Sequence, residues 1–103
     1  MIIAIDFDST LSIGSFPGLG QPRMWLIEKA KQWRKDGHKL ILWTCRERKS
    51  LKVAVSACKE LGLEFDAINE NLPERKLQER KTFGKEPRKI YANFYVDDKN
   101  LFV

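Results

Sequence analysis

Two pairs of aspartates stand far apart in the chain, each at the end of an apolar run. Ile2-Ile3-Ala4-Ile5 leads into Asp6-Phe7-Asp8-Ser9-Thr10-Leu11, and Ile90-Tyr91-Ala92-Asn93-Phe94-Tyr95-Val96 leads into Asp97-Asp98. If both runs are strands lying side by side and parallel, four carboxylates meet on one sheet edge. Like charges that close repel strongly, and a cluster of hard oxygen donors relieves this by holding a divalent cation. The alternative for Asp6 and Asp8 is a solvated turn after a strand.

The elements between the pairs decide whether they can meet. Residues 2–6 form a continuous run rich in β-branched side chains, the pattern of a strand buried on both faces. Residues 9–22 carry Gly14, Pro17, Gly18, Gly20 and Pro22 and read as a loop or small flap, too short for an inserted domain. Met24, Leu26, Ile27, Ala30 and Trp33 recur at helical spacing, which predicts a helix over 23–36 stopped by Gly37. Residues 39–43 read as a second buried strand that ends at Thr44. A second helix is expected over 50–61, with Ser50 as its N-cap and Gly62 as its stop, then a short strand over 64–68. Residues 69–89 are polar and highly charged, an irregular link, and 90–96 form the last strand. This alternation argues for one α/β domain over 1–103 with a mostly parallel sheet. Ligands of such sheets bind beyond the carboxyl ends of the strands, where the strand order reverses. Asp6, Asp8, Thr44, Asp97 and Asp98 all fall at carboxyl ends.

Composition narrows the partners. The 103 residues suffice for one small core, and no apolar run approaches the roughly 20 residues that cross a membrane. No basic, apolar and small-residue succession marks a secretion signal. Cys45 and Cys58 match no zinc spacing and read as reduced thiols of a cytoplasmic protein. Net charge is +5; four of the 14 acids sit in the two pairs, leaving 10 against 19 Lys and Arg. That surplus suits phosphorylated substrates or nucleic acid, or is simply a soluble surface. Residues 75–89 concentrate it, with Arg75, Lys76, Arg80, Lys81, Lys85, Arg88 and Lys89 against Glu79 and Glu86, around one aromatic, Phe83. The stretch is a nucleic-acid contact strip or a solvated loop.

Taken in order, Asp6-Phe7-Asp8-Ser9-Thr10, then Thr44 after Leu40-Ile41-Leu42-Trp43, then Lys89, then Asp97-Asp98 after Tyr95-Val96, resemble the four motifs of the haloacid dehalogenase superfamily. The likeness is closest to its small capless bacterial and phage members, which share Trp43-Thr44-x-Arg46-Glu47, and Arg88-Lys89 ahead of Asp97-Asp98-Lys99-Asn100. The resemblance implies a Rossmann-like three-layer sandwich with minimal cap and a Mg²⁺-dependent phosphatase working through an aspartyl-phosphate. It implies Asp6 as nucleophile, Asp8 as acid and base, Thr44 on a phosphoryl oxygen and Lys89 neutralising charge. Asp6, Asp8 through its backbone carbonyl, and Asp97 or Asp98 would hold Mg²⁺. Thr10 and Arg46 are the expected substrate-binding residues. Position 9, often glycine in this motif, is Ser9 here.

Each expectation has a plainer rival. Thr44 is otherwise a strand-end hydroxyl serving local backbone, Lys89 a surface lysine with Lys85 as competitor, and Arg46 a solvated side chain. Trp25, Trp33 and Trp43 are expected in the core rather than as a stacking platform. Without a cap the site is open, which suits a large substrate such as a nucleic-acid end. The family pattern continues past its fourth motif with a further strand and helix, so the chain is expected to be truncated, or the sheet edge open or completed by a neighbour, a homo-oligomer included. The second functional reading is a binding or regulatory protein of this fold with little turnover. A receiver domain, the third, needs its phosphorylated aspartate after a middle strand, and no Asp here ends the third strand in that setting.

Overall fold

A computed structural model of the chain describes residues 1–13, 20–73 and 90–99. Strand β1 (Ile2–Ile5) is followed by the short β2 (Ser12–Ile13) and β3 (Gln21–Pro22), helix α1 (Met24–Lys35), β4 (Lys39–Leu42), helix α2 (Arg48–Glu60), β5 (Ala67–Ile68) and β6 (Phe94–Val96). Four strands form one sheet in the order β5-β4-β1-β6, every neighbouring pair parallel. This is a small Rossmann-like α/β domain. No described helix is long and apolar enough to cross a membrane.

Side chains alternate along a strand, so each strand feeds two cores. Ile3, Ile5, Leu40 and Leu42 point to one face, where they meet Leu26, Ile27 and Ala30 of α1 and Ala54 and Cys58 of α2. Ala4, Ile41 and Ala67 point to the other, where Leu72 and Ile90 cover them. Both helices lie on one face because the crossovers β1-α1-β4 and β4-α2-β5 step the same way with the same hand. The chain must then return past β1 to place β6 on its far side. Leu72 and Ile90, at either end of that return, therefore pack on the opposite face. The order reverses between β1 and β6, where the first and last acid pairs end their strands.

The expected flap is present as the antiparallel pair β2–β3, with Ser12 opposite Pro22 and Ile13 opposite Gln21. Helix α2 starts before the expected position. Ser50 is not its N-cap but its third residue; the Ser50 hydroxyl accepts from the Glu47 N–H (3.3 Å) and donates to the Glu47 carbonyl (2.8 Å). The last strand is shorter than 90–96. Asn71, buried to 1 % exposure, takes the Tyr91 N–H on its Oδ1 at 2.6 Å, and the Tyr95 hydroxyl donates to the Ile90 carbonyl. Those bonds draw 90–91 towards the link and seat Ile90 on the second core instead of in a ladder. Of the three tryptophans expected in the core, only Trp33 packs against it; Trp25 and Trp43 are exposed. The basic stretch 75–89 lies outside the described residues.

Candidate active site

The carboxyl edge of the sheet is held together by bonds that extend the ladders beyond the strands. The Asp6 N–H donates to the Val96 carbonyl and the Trp43 N–H to the Ile5 carbonyl, each at 2.9 Å. Asp6 is thereby fixed between β6 and β4. Its side chain is half-buried, and the Thr10 hydroxyl donates to Oδ2 at 3.4 Å. Burial pushes the Asp6 carboxyl above its ordinary value of 3.8. The Phe7 N–H and the Thr10 hydroxyl oppose this, while the charges of Asp8 and Asp98 add to it. Three of the four acids are thus in electrostatic contact. From the second pair, the charge of Asp98 reaches Asp6. Asp97 turns its Oδ1 to the Lys99 N–H at 2.9 Å and closes the turn after β6.

Asp8 has a different environment from Asp6. The Arg46 guanidinium grips it as a fork, Nη2 to Oδ1 at 2.7 Å and Nε to Oδ2 at 2.9 Å. The Arg46 side chain is 1 % exposed and that of Asp8 21 %. Beneath the guanidinium lies the Phe7 ring, 5.0 Å from Cζ to centroid, a cation–π contact, and Nη1 reaches the Ser50 carbonyl at 3.4 Å. A buried guanidinium so engaged is not available to grip substrate. Arg46 therefore neither takes the substrate-binding position nor stands in solvent; it orients Asp8 and ties it to the start of α2. Thr10, the other expected substrate contact, is fully buried and serves Asp6.

The Thr44 hydroxyl accepts from the Arg46 N–H at 3.2 Å, the strand-end role, which leaves its own proton to donate elsewhere. The Thr44 N–H is taken by Asn69 Oδ1 at 2.7 Å, while the Asn69 N–H donates to the Leu42 carbonyl at 2.8 Å. Sequence reading passed over Asn69. The signal was there: an asparagine straight after an apolar strand end is a residue type that tolerates the left-handed conformation, and its φ is +53°. Arg23 was missed too. Its Nε and Nη2 bind the carbonyls of Thr10 (2.7 Å) and Ser9 (3.3 Å), securing the loop after Asp8. No spacing in the sequence announces that contact. Lys89 lies outside the described residues.

Ser9 itself sits at φ +63°, which explains why glycine serves at this position. A left-handed L-residue costs about 1–2 kcal/mol, against roughly 0.5–1 kcal/mol of extra unfolded-state entropy for glycine. Ser9→Gly is expected to raise the thermal midpoint by a few degrees; an unchanged or lower midpoint in a melting curve refutes the strain.

Among the described residues, no group of three or more His, Cys, Asp or Glu side chains could by itself cage a metal ion. Mg²⁺ needs less, since it commonly takes one or two carboxylates and keeps several waters. Asp6 and Asp98, with oxygen donors only and mutual repulsion to relieve, fit that demand.

No protein-family model matches the chain, and no curated protein matches it. A solved structure does: the conserved protein coded by a locus from Bacteroides thetaiotaomicron is 37 % identical and superposes with a TM-score of 0.81, the match covering 98 % of this chain and 78 % of that one.

Proposed function

The chain belongs to one family with that conserved Bacteroides thetaiotaomicron protein, and we propose that it is a Mg²⁺-dependent phosphohydrolase of the haloacid dehalogenase type, acting on a phosphomonoester in the cytoplasm. The observation that carries this reading is the half-buried Asp6 at the reversal of strand order, within reach of the charges of Asp8 and Asp98. A carboxylate destabilised by burial and by like charges is poised to react with an electrophile.

In this reading Asp6 attacks phosphorus and the bond from phosphorus to the leaving oxygen breaks; Asp8 gives that oxygen a proton that it first takes up from solvent as its ion pair with Arg46 opens. Asp8 then takes a proton from water, whose oxygen displaces Asp6 and releases inorganic phosphate. Arg46 holds the ionised Asp8 carboxylate in one orientation for the proton it takes from water, and the hydroxyl proton of Thr44 serves a phosphoryl oxygen. Asp6, Asp98 and the backbone carbonyl of Asp8 would hold Mg²⁺, which when bound offsets the charge between two anions. Lys89 is the proposed basic partner from the return link. The basic surplus of the chain favours an anionic substrate.

The test is phosphate release from an aryl phosphate and from glycerol phosphate, in Mg²⁺ and in excess chelator. Turnover is expected in Mg²⁺ alone. A folded protein that binds Mg²⁺ yet releases no phosphate from a broad panel of monoesters would replace this reading with that of a binding or regulatory protein.

A further inference from the structure

Trp43 is 42 % exposed, and its place follows from register. Ile5 pairs with Leu42 across β1 and β4, and the Trp43 N–H continues the ladder onto the Ile5 carbonyl. One step further, Asp6 and Trp43 are neighbours on strands that run about 4.8 Å apart. Ile5 and Leu42 both point into the helix-covered core. By alternation, Asp6 and Trp43 leave on the opposite face together. The Asp8–Arg46 pair lies over Phe7, and the indole springs from the position beside Asp6. An isolated exposed aromatic is ordinary on a protein surface. This one stands one register step beside Asp6, and an indole is longer than a carboxylate.

A chain with a net charge of +5 and an exposed aromatic beside a phosphoryl site favour one chemistry: a planar ring carried on a phosphate. We propose that Trp43 stacks the base of a nucleoside phosphate and so determines substrate class at the site. The proposal rests on the phosphohydrolase reading for turnover but not for binding. The nucleoside phosphate is either a free mononucleotide or the phosphorylated end of a strand, and both present the same base and phosphate.

The experiment compares adenosine monophosphate, a 3′- or 5′-phosphorylated hexanucleotide and glycerol phosphate, with wild type, Trp43→Leu and Trp43→Phe. Base stacking on an aromatic side chain implies a 5- to 150-fold advantage, roughly, in kcat/KM for a nucleotide over glycerol phosphate. That ratio is expected to collapse in Trp43→Leu and to survive largely in Trp43→Phe. A higher ratio for the hexanucleotide than for the mononucleotide identifies the strand end as the substrate, and the reverse identifies the free nucleotide. If wild type hydrolyses neither these nor any monoester of the broad panel, the phosphohydrolase reading falls. The same ratio, measured as dissociation constants by calorimetry, then decides the stacking by itself. A nucleotide preference that is absent in wild type, or equal in wild type and Trp43→Leu, overturns the proposal.

Discussion

Asp6→Asn is expected to abolish the proposed phosphate release and to make the metal-free protein more stable. The loss of activity is expected to reach about 10⁴-fold or more, the scale on which removing a covalent nucleophile acts. The gain in stability has a separate cause. Burial holds the Asp6 proton more tightly in the folded than in the unfolded chain, and the charges of Asp8 and Asp98 reinforce this. The folded state therefore binds more protons than the unfolded one between the ordinary value of 3.8 and the raised folded value. The stability this contributes is complete below 3.8 and is lost as pH rises through the folded value. At neutral pH the wild type carries the full cost of an ionised Asp6, and asparagine does not. Because the side chain is only half-buried, solvent screens part of the effect. Urea unfolding of both proteins at pH 7 and at pH 4, in chelator, checks it: the gap should be wide at pH 7 and narrow at pH 4. Mg²⁺ should raise the midpoint of the wild type and leave that of Asp6→Asn nearly unmoved. A variant less stable than wild type at pH 7 would mean that the hydrogen bonds to Asp6 outweigh its desolvation.

Arg46 carries the largest expected effect on folding. It is 2 % exposed and satisfied by Asp8, the Phe7 ring and the Ser50 carbonyl. Removing one partner of a buried ion pair strands the other charge, at a cost of about 3–5 kcal/mol. Arg46→Met should therefore lower the thermal midpoint by well over ten degrees, on the order of 4–8 °C per kcal/mol for a domain of this size. The double variant Asp8→Asn/Arg46→Met leaves no unpaired charge and should recover more than half of the loss. Arg46→Lys retains the charge but cannot fork onto both carboxylate oxygens. It should stay folded while kcat falls about 10²-fold, with a smaller change in KM, because Asp8 is no longer held in one orientation. A kcat within a factor of two of wild type in folded Arg46→Lys would show that the fork is structural only. Equal destabilisation in the single and double variants would show that the lost packing over Phe7, rather than the stranded charge, sets the cost.

Much of the frame was legible because it is local or periodic. The run Ile2–Ile5 reads as a buried strand, and the spacing of Leu26, Ile27 and Ala30 reports which face of α1 is buried. Gly37, at φ +96°, ends α1 where expected. The elements that shifted are those governed by a distant polar partner. Tyr91 belongs to an apolar run that reads as strand, yet its N–H is taken by Asn71, 20 positions earlier. Ser50 looked like a cap because serine commonly is one, while Glu47 holds the capping position and Ser50 answers it. Hydropathy carries no record of either choice.

By itself the sequence determined the order of the elements, the parallel sheet, and the arrival of both acid pairs at carboxyl ends. These depend on side-chain period and on crossover handedness, which short stretches encode. Tertiary structure alone decided which partner each polar group found. It sent Arg46 to Asp8 rather than to solvent or substrate, brought the charge of Asp98 to Asp6, assigned the Asn69 side chain to the Thr44 N–H, and left Trp43 uncovered beside Asp6. The reason is register. A hydrogen bond or ion pair forms over about 3 Å between groups tens of residues apart, so its partners are chosen only once the strands have aligned.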